Sequence, residues 1–223
     1  MPRKAMGVII PALLPTQAFG YDPDLAPYPF DPVKARQLLR EASYPEGLAI
    51  TLIAPEGLEV QATVVGKMLE RVGLTVDLQI LDPVAYNQKT LLSHLDQPPE
   101  TQTWDIALRS RFDFMNFPVL SFYHYIILDG YNDWATEQPE LRQLYEQVLQ
   151  TVDQEKQREL IRRMERHTHD SAYLLFLYNP IELFAANKAA AFVPYVNTIL
   201  DFDETSVTAQ HWSVRKKKAT VLE

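Results

Sequence analysis

The 223-residue chain contains no cysteine. Disulfides, thiolate nucleophiles and cysteine metal sites are therefore excluded. Glycine is scarce at seven residues, and neither a G-x-G-x-x-G nor a P-loop spacing occurs, so those nucleotide-binding devices are missing. No G-x-S-x-G elbow seats an α/β-hydrolase nucleophile. No apolar run approaches the ~20 residues of a membrane-spanning helix. Positive charge is in deficit: the net charge is −8 and the isoelectric point near 5.2, which argues against a nucleic-acid surface. The opening MPRKAMGVII is basic and then apolar, but Pro11 and Pro15 break the run, unlike a secretion signal. Both that start and the closing Leu-Glu fit an excised piece as well as natural ends.

What is abundant is proline, with sixteen residues against 47% hydrophobic and 22% charged composition. Those proportions suit a globular protein, of a length that buries roughly 70% of its unfolded surface. Residues 1–30 hold six of the prolines and read as an irregular, extended segment. Next comes YPFDPVKARQLLREASYPEGLAITL, a helix fenced at both ends. Asp31 is an N-cap and Pro32 suits the first helical position. Leu38, Leu39 and Ala42 form an apolar stripe, and Tyr44-Pro45-Glu46-Gly47 stops the helix before a strand.

Residues 48–81 predict a βαβ unit. LAITLIA is a strand, and LEVQATVVGKMLERVG is a helix with Val60, Val64, Met68 and Val72 at i+4 spacing and Gly73 as stop. LTVDLQIL alternates Leu74, Val76, Leu78 and Ile80 on one face. The two strands are expected to be parallel, with a right-handed crossover. Asp82-Pro83 starts another helix, to about Leu95. WDIALRS is a buried strand, and PVLSFYHYIIL a buried helix or binding-surface segment. Two amphipathic helices then carry Leu141, Leu144, Val148 and Val152, and Leu160, Ile161 and Met164. AYLLFLYNP and IELFAAN read as strands. The fold class is α/β, with a mixed, mostly parallel sheet and flanking helices.

The candidate chemistry is sparse. His167 and His169 of HTHD lie in a helical pattern, where positions two apart diverge by about 200°. They are expected to serve the helix C-terminus rather than a metal. DFDET (201–205) has calcium-like carboxylate spacing without the glycine or distal glutamate of an EF-hand, and RKKK (215–218) reads as a solvated tail. A hydrolase would need Asp113, His124 or His167 with Asp170, and no general base is placed by spacing against a nucleophile. Phe112, Phe114, Phe117, Phe122, Tyr123 and Tyr125 crowd one stretch, either as core or as a ligand-facing wall. They follow a strand's C-terminal end, where α/β ligand sites gather.

The stretch GYDPDLAPYPFDPVKARQLLREASYPEGLAITLIAP resembles the extracellular solute-binding proteins of the peptide/nickel ABC-transporter class (solute-binding family 5). The resemblance continues through MLERVGLTVDLQILDPVAY, WDIALRS, the segment from YNDWATEQ to LYNP, and HWSVRK. It implies the C-terminal portion of a two-lobed protein with the smaller lobe of a type II periplasmic binding fold. The expected organisation is a crossover segment at 1–30, a ligand-binding α/β lobe at 31–195, and return strands with a basic tail at 196–223. It also implies a non-enzymatic function: capture of an oligopeptide or similar small solute for a membrane permease, in the periplasm or extracellular envelope. The partners implied are the ligand, an N-terminal lobe of the same protein and an ABC permease, with no cofactor, metal or nucleic acid. A stand-alone sensory or scaffold module reusing the lobe is the alternative.

Peptide-binding members tend to read WD-x-A-L-x-GW-x-x-D-x-x-DP, whose first loop aspartate meets the peptide amino terminus. Here the segment is WDIALRSRFDFMNFP. Matching Pro118 to the family proline places Arg111 at the tryptophan and Phe114 at the aspartate, and a one-residue slide restores Asp113. The ligand-binding candidates are Arg109, Arg111, Asp113, Phe114, Asn116 and Phe117. The phenylalanines offer apolar area, and the others a few directional polar groups.

Overall fold

The computed structural model describes residues 7–92, 101–110, 118–125, 139–172, 174–181, 183–192, 202–203 and 205–215. The chain divides into two compact units, one drawn from 10–111 and 118–176, the other from 1–9, 112–117 and 177–223.

The larger unit contains the fenced helix, α1 (Pro32–Glu41), followed by β2 (Ala49–Pro55), α2 (Glu59–Glu70) and β3 (Thr75–Leu81); β1 (Gly7–Val8) belongs to the smaller unit. One Asp31 oxygen accepts the N–H groups of Val33 and Lys34 at 3.0 and 2.9 Å, with Pro32 at the first turn. At the other end Ser43 turns left-handed, at φ 71°. The apolar stripe is not the one the sequence suggests. Leu38 is 51% exposed and Ala42 is exposed, while Pro32, Ala35 and Leu39 are half-buried.

β2 and β3 pair in parallel over their whole length, from Ala49 opposite Thr75 to Pro55 opposite Leu81. β4 (Ile106–Ala107) adds to the other edge of β2, also parallel, giving the order β3-β2-β4. Asp105 extends that short strand, because its carboxylate accepts the Thr51 N–H at 2.7 Å. The expected parallel strand–helix–strand unit is thus present.

The face of α2 that meets the sheet is a correction. Ala62, Val65 and Gly66 are buried, whereas Val60, Val64 and Met68 are 74%, 47% and 47% exposed. Gly66 faces the sheet, where an added methyl would meet Val76 at 3.5 Å and Leu52 at 3.9 Å in ordinary contact. The helix packs where it can come closest, since dispersion contacts fall off steeply with distance.

The helical part of the same unit comprises α4 (Pro118–Tyr125), α5 (Pro139–Gln150) and α6 (Gln154–Asp170). Its core joins Val119, Phe122, Leu141, Leu144, Val148, Ile161 and Met164 to Leu13, Leu14 and Ala18 of the irregular segment. Of the aromatic cluster, Phe122 is fully buried and Tyr123 packs partly buried against the same core.

A polar stripe on α6 clasps that irregular segment. The two Glu165 carboxylate oxygens accept the N–H groups of Leu13 and Leu14 at 3.2 and 3.1 Å. Arg162 donates to the Tyr21 carbonyl at 3.3 Å, and Arg166 meets Asp22 at 2.6 Å. The Arg158 guanidinium lies 4.6 Å from the Phe19 ring centroid. These positions recur every three or four residues, on one helix face. Burial alone would raise the pKa of Asp22. The Arg166 hydrogen bond, the Asp24 N–H and the charges of Arg166 and Arg162 outweigh it, leaving the pKa below 3.8. A folded pKa below the unfolded one stabilises the fold above the unfolded value, and that contribution is lost as pH falls through the folded value. Wild type is therefore expected to melt above Asp22→Asn by a constant margin above about pH 5, narrowing at lower pH. Thermal melts across pH 2–7 check this, and a margin unchanged down to about pH 2 would rule the linkage out.

In the smaller unit, β1 pairs antiparallel with β5 (Asn179–Pro180), and β6 (Ala190–Ala191) with β7 (Ser206–Val207). Phe192 lies 6.0 Å from Phe184 and 6.2 Å from Phe202, centroid to centroid. Of the two strands expected over 172–187, only Asn179–Pro180 is a strand among the described residues. Apolar sequence by itself does not make a strand; a neighbouring backbone must supply the hydrogen bonds.

Candidate functional site

The C-terminal ends of β2, β3 and β4 are followed by different structures. After β3, Asp82 caps α3 (Pro83–Asn87) by accepting the Val84 and Ala85 N–H groups. The helix then widens into a π-helical turn, Gln88–Leu92, where continuous α-helix was expected. Within that turn the Thr90 hydroxyl donates to the Tyr86 carbonyl at 2.9 Å.

That turn receives Arg109, which follows β4. Its Nη2 donates to Thr90 Oγ1 at 2.8 Å, and its guanidinium lies 5.8 Å from the Tyr86 ring centroid. The Tyr86 hydroxyl donates to the Leu108 carbonyl at 2.8 Å. Tyr86 and Thr90 are 4% and 1% exposed, and Arg109 is half-buried. Burial raises the Tyr86 pKa, opposed by its hydrogen bond with Arg109, so the phenol stays protonated. Nearby, Lys89 Nζ donates to Thr103 Oγ1 at 2.9 Å. Three residues from two segments thus form one partly buried polar cluster at the strand ends.

Of the sequence candidates, Arg109 is in this cluster. Arg111, Asp113, Phe114, Asn116 and Phe117 lie outside the described residues. Neither Tyr86 nor Thr90 is marked by the sequence: a tyrosine and a threonine four apart in a helix have no special pattern. The one clue is Asp82-Pro83, which fixes the start of the helix and hence their phase.

The histidines are held for structural reasons. His167 Nδ1 lies 3.5 Å from Glu140, on α5. His169 is buried, stacks on Tyr28 at 4.1 Å with planes 8° apart, and places Nδ1 2.9 Å from Asp170 Oδ1. Tyr28 in turn donates to the His169 carbonyl at 3.0 Å. The two rings diverge to different partners, as helical spacing requires. His169 and Asp170 touch, but the described residues bring no nucleophile to them. The His124 side chain lies outside the described set.

Among solved structures, the dipeptide-binding protein of Pseudoalteromonas sp. SM9913, in complex with Met-Leu, superposes with a TM-score of 0.73. The match covers 91% of this chain and 40% of that one at 16% identity. The fold is that of a type II periplasmic binding protein. The periplasmic binding protein DppA of Helicobacter pylori, in complex with peptide STSA, matches 78% of this chain and 34% of its own at TM-score 0.67 and 17% identity. In sequence, 48 residues are 48% identical to the glutathione-binding protein GsiB of Shigella flexneri, covering 22% of this chain and 9% of GsiB. No family model matches the chain. The chain spans well under half the length of the binding proteins it superposes on, and a smaller part still of GsiB aligns. The similarity is nonetheless to ABC-transporter solute-binding proteins, the class the sequence motifs resemble, and these relatives are binding proteins rather than enzymes.

Proposed function

We propose that the chain is the ligand-binding lobe of an ABC-importer solute-binding protein, and that it captures an oligopeptide or similar small solute. The observation that carries this reading is the periplasmic binding fold with a polar cluster at its parallel strand ends, the place where α/β sheets receive ligands. Peptide-type ligands are favoured by three of the similar proteins, which are described as binding glutathione, Met-Leu and a tetrapeptide. A second lobe would close over the ligand, and the closed state would dock to a membrane permease outside the cytoplasm. The lobe by itself supplies only part of the contacts, so its own affinity is expected to be weak. No enzyme activity is expected of it.

Within this reading the ligand contacts are Arg109, Arg111, Asp113, Phe114, Asn116 and Phe117. Asp113 would take a cationic amino group, and Arg111 a carboxylate held bidentately. The test is calorimetric titration of the complete natural gene product with glutathione and with di-, tri- and tetrapeptides. Asp113→Asn is expected to weaken peptide binding by about 1.5–3 kcal/mol, as for a charge-assisted hydrogen bond. Absence of binding to the whole panel would end the peptide reading. Binding that neither Asp113→Asn nor Arg111→Ala alters would move the site elsewhere.

A further inference from the structure

The geometry points to a second copy of this chain as a partner, paired antiparallel along the free edge of β3. This inference does not rest on the solute-binding role. β3 ends the three-stranded sheet, in the order β3-β2-β4. The Thr75 N–H donates to the Leu48 carbonyl, and the Leu81 carbonyl accepts the Glu56 N–H, both at 2.9 Å. The odd-numbered residues of the strand therefore bond inward, to β2 and its flanks. The backbone groups of Val76, Leu78 and Ile80 point outward, and among the described residues no backbone group meets them. A seven-residue strand with such a row is a template for another strand.

The edge is complementary to itself. Turned about a two-fold axis at Leu78, it sets Leu78 against the partner's Leu78 and Val76 against the partner's Ile80. These are the pairs that exchange both backbone bonds, and their side chains share one face of the sheet. On the other face Asp77 lies opposite the partner's Gln79, which can donate to it as its own Gln79 does at 2.7 Å. Shifting the register by two residues shortens the overlap, and in one direction opposes the two Asp77 carboxylates.

The helix above the edge agrees with the same axis. Gly66 faces Val76 and Leu52, so α2 rides over β3 and β2. Helix and strand run in opposite directions, and rises of about 1.5 and 3.3 Å per residue put Thr63 near the level of Leu78. A right-handed crossover, general for parallel strand–helix–strand units, turns the flank with Glu59, Thr63 and Lys67 toward the free edge. All three are exposed. With strands about 4.8 Å apart, the two α2 helices come to about 10 Å, the spacing of packed helices. The axis then passes between the two Thr63 side chains and brings Glu59 opposite the partner's Lys67, twice. Two copies of net charge −8 repel as wholes, so a face where carboxylate meets ammonium is the one that suits self-association.

The experiment is sedimentation velocity of the complete gene product over a concentration series, without peptide. Wild type is expected to pass from monomer to dimer as concentration rises. Lys67→Glu, which sets glutamate against glutamate, is expected to weaken the dimer about tenfold or more. Glu59→Lys combined with Lys67→Glu is expected to recover most of that loss. The two positions are about two helical turns apart, so contact within one copy does not explain a recovery. Ile80→Pro removes an outward N–H that the monomer leaves unpaired, and is expected to abolish dimerisation. Should Ile80→Pro fail to fold, the charge variants decide. A wild type that stays monomeric up to about 0.1 mM would overturn the inference. A dimer unchanged by Lys67→Glu or by a folded Ile80→Pro would do the same, as would a double variant no stronger than Lys67→Glu, since each places the contact elsewhere.

Discussion

Glu165→Ala is expected to lower the unfolding free energy by about 3–5 kcal/mol. The carboxylate accepts one N–H on each oxygen, from Leu13 and Leu14, and Glu165 and Leu14 are 1% and 0% exposed. Its removal strands two backbone donors where water cannot reach them, each at a cost of about 1–3 kcal/mol. It also loosens a segment whose Leu13, Leu14 and Ala18 are part of the helical core. Glu165→Gln is no rescue, because its amide nitrogen would set a donor against a donor. Denaturant unfolding of both variants is the measurement. A loss below about 1 kcal/mol in Glu165→Ala would mean that the clasp contributes little beyond an ordinary hydrogen bond.

Gly47→Ala is expected to cost at least as much, and to reduce the yield of folded protein. Gly47 has φ +79°, and a methyl group there would lie 1.6 Å from the Gly73 carbonyl oxygen. The two glycines abut where β2 and β3 begin, beside the Thr75 N–H bond to Leu48. The obstacle is backbone, so relief requires the two strand entrances to part, and the parallel register starts there. Gly57→Ala is the control: its φ is +94°, but nothing lies within 4 Å of the added methyl. It should carry only the left-handed strain, about 1–2 kcal/mol. Denaturation of the pair separates strain from collision. Equal losses in the two would show that the close approach at Gly47 is not what limits the substitution.

Local signals determined a good part of this protein. The Asp-Pro starts of α1 and α3 form as expected, because a cap and a preset φ act within one turn and need no distant partner. The parallel βαβ unit was also legible, since two apolar strands around a one-faced helix have few other arrangements. Arg109 was singled out because the end of a strand is readable in sequence, and the turn that fixes it was not. That required Thr90 to find Tyr86 on its own helix and Arg109 nineteen residues on.

Tertiary structure decided what local pattern left degenerate. α2 has bulky residues on one face and small ones on another, and either can be read as its seam. The sheet took the face carrying Ala62, Val65 and Gly66. The Glu165 clasp joins residues 151 and 152 positions apart, and no spacing rule connects a helical glutamate to a proline-rich segment so distant. Strand character over 172–187 is confined, among the described residues, to Asn179–Pro180 for the complementary reason: the residues suit a strand, but a strand exists only beside a neighbour, here β1.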